Sequence, residues 1–388
     1  MNMNFLISSD RLPALEEDFA RAAAVIRKAI IENRPVILRH HADCDGYCAA
    51  ISLENSILPL VGEAHRLSTR RTYYRRIPMR TPFYSYEDAI KDICFIDSEK
   101  SWIKPPLVIL ADLSPSDDFI VEHLKLHSLN IVVIDHHEVP INSGALDASI
   151  NPLNRGMDGS LTAGMLAFEL AIQLNSEASR NFLLPAISGI ADKSDCNELQ
   201  NYIKLSGESA EQLGQEARCL DFLAYNTWQV DARAILERFF TDREYRARLL
   251  KILIPEIDAR IREAISAELP RLSEEIFNKG TNHEFCLAIL KGGLSQEYPP
   301  AGRIAGLLFE ELKKKHSRAV LFLVLEDSLI IRSNIPEFNL NEMISELKNE
   351  LKVIEGGGHP SAGTLRFAPH LSEQIIARCR QFLQEALR

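Results

Sequence analysis

At 388 residues, with 46% hydrophobic and 25% charged side chains, the chain is long enough for two or three domains and ordinary for a globular protein. No run approaches the roughly 18 apolar residues of a membrane-spanning helix, and Met1–Asp10 lacks the features of a secretory signal, so a cytoplasmic protein with no membrane partner is expected. A formal charge of −10 argues against a broad basic surface that coats nucleic acid but allows a local basic track beside a metal-filled acidic site, and the odd count of 7 cysteines suggests neither a disulfide framework nor structural zinc.

Residues 14–33 have helical spacing and lead through Pro35 to the branched run Val36-Ile37-Leu38, which has the character of a buried strand. Asp45-Gly46 is a turn, and residues 47–60 form the helix after it. Val108-Ile109-Leu110 and Ile131-Val132-Val133-Ile134 are two further strands, with helices expected over 117–128 and 162–174. Strands alternating with helices predict an α/β fold with a parallel, doubly wound sheet. From about residue 206 to 277 helical stretches dominate, at 208–223, 230–240, 242–253 and 255–276. α/β character returns with strands at 284–290, 319–325 and 329–331 and a helix at 302–315. The expected organisation is a catalytic domain over 1–200, a helical connector over 201–282, and a smaller α/β domain over 283–388.

Two polar clusters sit where those strands end, at the edge where open α/β sheets build their sites. One is His41-Ala42-Asp43-Cys44-Asp45-Gly46 and the other Asp135-His136-His137. Asp112 closes the strand between them, and Asp192 follows Gly189-Ile190-Ala191, with Asp195 as an alternative acid. Carboxylates and imidazoles in such number exceed what one divalent ion needs and suit two. No nucleophile elbow and no Walker A loop occurs, so a metal-activated water is the expected nucleophile. An adjacent acid such as Asp135 could hold an imidazole tautomer.

Further on, Gly356-Gly357-Gly358-His359 exposes backbone amides that can cradle a phosphate, with a turn between strand and helix as the alternative. Arg332 follows a strand and could bind a phosphate beside it. The stretch Arg70-Arg71-Thr72-Tyr73-Tyr74-Arg75-Arg76 is the strong basic-aromatic run, suited to a single strand if it is not simply a solvated face.

Together and in this order, these segments resemble the DHH phosphoesterases, named for the run standing here as Asp135-His136-His137. The resemblance covers roughly residues 34–196 and 284–368, and the glycine-rich segment is similar to the signature of the accessory DHHA1 domain. It implies two Mn²⁺ or Mg²⁺ ions, one on His41, Asp43 and Asp112, the other on Asp45, Asp112, His136 and Asp192. His137 would contact the scissile phosphate, with Asp135 beside it as the other catalytic residue. The first histidine stands closer to Asp43 than in many members, as in RecJ-like ones, leaving His40 and His41 as alternative ligands. The expected function is end-directed hydrolysis of single-stranded DNA or RNA by a RecJ-like exonuclease. The alternatives are a phosphatase or phosphodiesterase for very short oligonucleotides, phosphoadenosine phosphate or cyclic dinucleotides, and a non-catalytic protein that binds nucleic acid or a replication or repair partner.

Overall fold

The computed structural model describes residues 4–65, 73–138, 142–178, 180–227, 229–294, 297–351 and 354–387. The chain divides into two compact units, Met1–Ile254 and Pro255–Arg388.

The first unit opens with α1 (Glu16–Ile31), β1 (Val36–His41), α2 (Cys44–His65) and β2 (Tyr74–Met79). There follow α3 (Tyr86–Ser98), β3 (Leu107–Ala111), α4 (Asp118–Leu126), β4 (Asn130–Ile134) and β5 (Ala148–Ile150). Helices complete it: α5 (Ala163–Leu174), α6 (Leu183–Ala191), α7 (Asn197–Ser206), α8 (Ala210–Thr227), α9 (Arg233–Thr241) and the first part of α10 (Arg243–Glu268).

Its five strands pair in the order β2-β1-β3-β4-β5, all parallel. A parallel sheet must be covered on both faces, and alternate residues serve the two layers. Leu107, Ile109, Val132 and Ile134 join the large core with α1, α2 and α5–α9, while Val108, Leu110, Ile131 and Val133 pack with α3 and α4. Every strand therefore points its carboxyl end the same way, and the loops after β1, β3 and β4 meet there.

The second unit carries a six-stranded mixed sheet in the order β10-β11-β9-β8-β7-β6. Its elements are β6 (Ser273–Phe277), β7 (Phe285–Lys291), α11 (Ala301–Lys315), β8 (Ala319–Val324), β9 (Ser328–Ser333), α12 (Leu340–Glu350), β10 (Glu355–His359), β11 (Ala362–Arg366) and α13 (Ser372–Ala386). Phe285, Leu287 and Phe322 face the core with α12 and α13, and Ala288, Leu290 and Leu321 the core with α11.

The parallel sheet with helices on both faces is the expected α/β class. Three expectations need revision. Residues 201–282 do not stand apart as a connector: 201–254 belong to the first unit, where Leu213, Leu220, Leu236 and Phe239 share its large core, and 255–282 belong to the second. The helix expected to reach residue 276 ends at Glu268, and Ser273–Phe277 is an edge strand against β7. Its glutamates are exposed, so only pairing, not side-chain pattern, marks it as a strand. Third, Gly356–Gly358 are neither loop nor turn but part of edge strand β10. No described helix is long and apolar enough to cross a membrane.

The first sheet is also tied to α3 by a buried ion pair. Arg39 on β1 donates to both oxygens of Asp92, which also accepts from the Tyr84 hydroxyl at 2.8 Å. The Arg39 and Asp92 side chains are only 10% and 1% exposed. Asp92→Ala strands the guanidinium in the interior and should cost about 3–5 kcal/mol. Urea denaturation measures this, and a loss under about 1 kcal/mol would show the pair to be dispensable.

Candidate metal centre

The centre is built where β1, β3 and β4 end. His41 is the last residue of β1, and Asp43 and Asp45 stand at the start of α2. The chain turns so tightly that a Cβ on Gly46 would lie 2.2 Å from the His41 carbonyl oxygen. Glycine is needed for close approach and not for an unusual φ. Asp112, one residue past β3, has φ 55°, left-handed backbone that aspartate tolerates better than most residues.

Two groups of ligand atoms meet at Asp112. His41 Nδ1 lies 2.8 Å from Asp43 Oδ2 and 3.4 Å from Asp112 Oδ2. His136 Nε2 lies 3.2 Å from Asp192 Oδ2, 3.6 Å from Asp45 Oδ2 and 3.7 Å from Asp112 Oδ1. Asp112 thus presents one oxygen to each group, as a carboxylate bridging two ions would. Asp45, Asp112 and His136 are buried, whereas Asp43, Asp192, His41 and His137 keep part of their surface open to solvent.

The groups fit divalent cations. Both oxygens of Asp112 are buried with no hydrogen-bond partner among the described residues, an arrangement too costly to leave uncompensated. Burial, then the charges of Asp43, Asp45 and Asp192, push Asp112 well above the usual carboxylate range. Burial and Asp192 raise Asp45 to about 7. For His136, burial works downward, but the hydrogen bond and charge of Asp192, with Asp45 and Asp112, raise it well above an ordinary imidazole. Protons are here doing what cations would do better. The His136 tautomer is prepared: its Nδ1 donates to the Gly159 carbonyl at 2.7 Å, which leaves Nε2 as the ligand atom.

The first two histidines are placed differently. His40 is fully buried beneath the site, edge-on to the Tyr47 ring, with Nδ1 against the His41 carbonyl at 2.8 Å. Burial and the nearby Arg76 lower its pKa to about 3, so it stays neutral. His41 is the histidine in the ligand group.

The His137 ring packs at a tilt of 59° against His136, with ring centroids 4.3 Å apart. Its Nδ1 lies 2.8 Å from Asp135 Oδ1, and the same oxygen accepts from the His136 and His137 amides. Asp135 Oδ2 accepts from Ser114 Oγ at 2.6 Å. Asp135 is thereby a positioning residue, engaged in holding the histidine loop. Sequence reasoning missed Ser114 and the Gly159 carbonyl, as well as the group around Asp45. That carboxylate accepts from the Ala163 amide at 2.9 Å, the Gly164 amide at 2.7 Å and the Ser188 hydroxyl. Asp195 is exposed and joins none of the ligand groups among the described residues.

The remaining candidates lie elsewhere. Arg70 and Arg71 fall outside the described residues. Tyr74 and Arg76 belong to β2 and are turned inward, a correction to their reading as nucleic-acid contacts: the Arg76 guanidinium pairs with the buried Glu54 at 2.8 Å, and Tyr74 is 4% exposed. Arg75 lies over the Phe95 ring at 3.9 Å, and Tyr73 is half-buried. In the second unit, Arg332 donates to the carbonyls of Ile331 and Gly302, at 2.9 and 3.3 Å. Gly356–His359 lie on β10, where Gly358 has φ 145° and a Cβ would meet the Ala362 carbonyl oxygen at 2.4 Å.

Residues 35–190 match the model of the DHH family, N-terminal domain. A solved DHH domain, from a protein described as a member of a family of ribosomal proteins, is 30% identical, with TM-score 0.84 over 99% of this chain and 94% of that one. An uncharacterized protein of Methanocaldococcus jannaschii, MJ1198, is 28% identical across 96% of this chain and 54% of its own length. The chain therefore spans about half the length of that curated relative. RecJ from Thermus thermophilus, crystallised with Mn²⁺, superposes with TM-score 0.61 over 95% of this chain and 55% of RecJ. At 15% identity, that likeness shows the fold alone. The chain belongs to the DHH family and has a RecJ-like fold.

Divalent cation should stabilise the folded chain, because the ligands converge only there. At Mn²⁺ concentrations near 100 times Kd the gain is about 2.7 kcal/mol, visible as a rise in melting temperature that EDTA reverses. Asp112→Asn should remove most of the Mn²⁺-dependent rise while leaving the metal-free protein folded. An unchanged Mn²⁺ response in that variant would rule out Asp112 as a shared ligand.

Proposed function

We propose that this protein is a two-metal phosphodiesterase that hydrolyses single-stranded nucleic acid from an end, in the manner of a RecJ-like exonuclease. The observation that carries this reading is the pair of clusters His41-Asp43-Asp112 and Asp45-His136-Asp192 at the carboxyl edge of a DHH-family sheet, with buried Asp112 presenting Oδ2 to His41 and Oδ1 toward His136. His41, Asp43 and Asp112 would hold one ion; Asp45, Asp112, His136 and Asp192 would hold the other. Mn²⁺, the ion named with RecJ, or Mg²⁺ suits such oxygen-rich ligands. Bound there, two such ions would lower the pKa of a water and neutralise charge developing on phosphoryl oxygens.

The chain's own residues supply the rest. His137, held through Nδ1 by Asp135, is the residue we assign to the scissile phosphate. Asp135 also fixes both histidine amides, so neither ring can swing away as the phosphate enters. In the second unit, the glycines of β10 lie at a sheet edge, where one side of the backbone is not paired with another strand among the described residues. Edge amides without side chains allow a phosphate or terminal nucleotide to approach closely. Burial lowers the Arg332 pKa, and its guanidinium donates to carbonyls and not to carboxylates among the described residues, which leaves its charge for an anion.

The test is Mn²⁺-dependent hydrolysis of 5′-labelled DNA and RNA, each as a 30-mer and a 3-mer. Mononucleotides released from the 30-mers are the expected result, with His137→Ala slower by about 10²–10⁴-fold at unchanged metal binding. Cleavage of the 3-mers alone would replace the exonuclease with an enzyme for short oligonucleotides. Absence of hydrolysis on these and on cyclic dinucleotides would leave a binding protein.

A further inference from the structure

The ligands proposed for the second ion differ in how they are held. His136 is fixed by the Gly159 carbonyl, and Asp192 is partly exposed at the carboxyl end of α6. Asp45 is fully buried and meets a set of donors that no part of the metal chemistry requires directly.

Asp45 Oδ1 accepts from the Gly164 amide and from Ser188 Oγ, whereas Oδ2 accepts from the Ala163 amide alone. Each carboxylate oxygen has two acceptor positions. Oδ1 is therefore fully occupied, and Oδ2, the oxygen 3.6 Å from His136 Nε2, keeps a lone pair for a cation. The hydroxyls form a directed chain. The Ser188 proton goes to Asp45, so the bond between Thr162 and Ser188 has Thr162 as donor. Thr162 is the N-cap of α5, and its oxygen also accepts from the Met165 amide at 3.5 Å.

Packing leaves little room for another arrangement. A Cβ on Gly164 would lie 2.5 Å from Ser188 Oγ and 2.8 Å from Asp45 Oδ1. One on Gly189 would lie 2.3 Å from the Met165 side chain, so α6 is pressed onto α5 where Ser188 projects. Both hydroxyl residues are buried, with exposures of 0% for Ser188 and 1% for Thr162.

The geometry points to Ser188 as a positioning residue for the ion at Asp45, His136 and Asp192: by occupying Oδ1 it selects Oδ2 as the ligand atom. This rests on the two-metal reading above. It predicts an effect on one ion and not on the other, because Ser188 bonds to Asp45 and Thr162 and not to His41 or Asp43 among the described residues, and Asp112 is reached only through the second ion.

Calorimetric titration of the metal-free protein with Mn²⁺, with electron paramagnetic resonance to detect a spin-coupled pair, tests this. Asp192→Ala, which removes a ligand assigned to that ion alone, identifies its binding step. Ser188→Ala should weaken the same step by about 10–100-fold, leave the other step unchanged and lose the coupled signal at limiting Mn²⁺. Ser188→Thr, which keeps the hydroxyl, should restore much of the affinity. Wild-type affinity for both ions in Ser188→Ala would overturn the proposal while leaving the two-metal centre intact. Failure of the wild type to take up a second ion would overturn the centre itself. Should Ser188→Ala not fold, Ser188→Cys, whose thiol is a much weaker donor to Oδ1, takes its place, and an unmoved second step there overturns the proposal equally.

Discussion

Repulsion among four carboxylates, Asp43, Asp45, Asp112 and Asp192, is the constraint on which the first unit is organised. Like charges this close and this buried do not coexist unless something positive lies among them. The fold brings them together all the same, because a parallel sheet sends the loops after β1, β3 and β4 to one edge. Burial and mutual repulsion push Asp112 upward, and the neighbouring carboxylates raise His136 well above an ordinary imidazole. The interior of the sheet supplies the stability that this edge gives up. Leu107–Ala111 and Ile131–Ile134 are almost wholly buried and covered by helices on both faces.

The supporting structure divides the carboxylates between two kinds of restraint. Asp45 is anchored by the first amides of α5, where unpaired N–H groups and the helix dipole favour an anion. Asp112 has no such donors and is placed by backbone alone, through its left-handed φ and its buried position. One acid is thus held by hydrogen bonds that persist with or without metal. The other has both oxygens buried without a hydrogen-bond partner among the described residues, a gap that a shared cation would fill.

Much of this was legible in the sequence for a definite reason. Strand runs such as Ile131–Ile134 are uniformly apolar because both faces are buried, and the polar residues that interrupt them mark the strand ends where chemistry is placed. The motif residues therefore announced both the sheet and the cluster of carboxylates and histidines at its edge. What escaped depends on partners distant in sequence. Ser188 looks like an ordinary helical serine until α6 packs on α5, and Ser114 resembles a loop residue until β4 brings Asp135 beside it. The edge strands β2, β6 and β10 escaped for a related reason. Tyr74–Met79 carries two arginines and a proline, Ser273–Phe277 carries exposed glutamates, and β10 is mostly glycine, so pairing and not periodicity defines them. The run of arginines that suggested a nucleic-acid track was misleading in part because Arg76 neutralises Glu54 inside the fold.

A chain of net charge −10 is an unpromising partner for a polyanion, and the acid cluster makes the approach of a phosphate to this edge still less favourable. The same charges resolve the difficulty. Two divalent cations carry as much positive charge as the four carboxylates carry negative, so loading the site would remove the local repulsion before a phosphate arrives. On the proposed two-metal reading, charge balance would order the events: cations first, phosphate second. The partly open side chains of Asp43, Asp192, His41 and His137 form the side from which both must enter. On the proposed reading, the acidity that argues against nucleic acid at the level of composition would become the condition for handling its phosphates at the site.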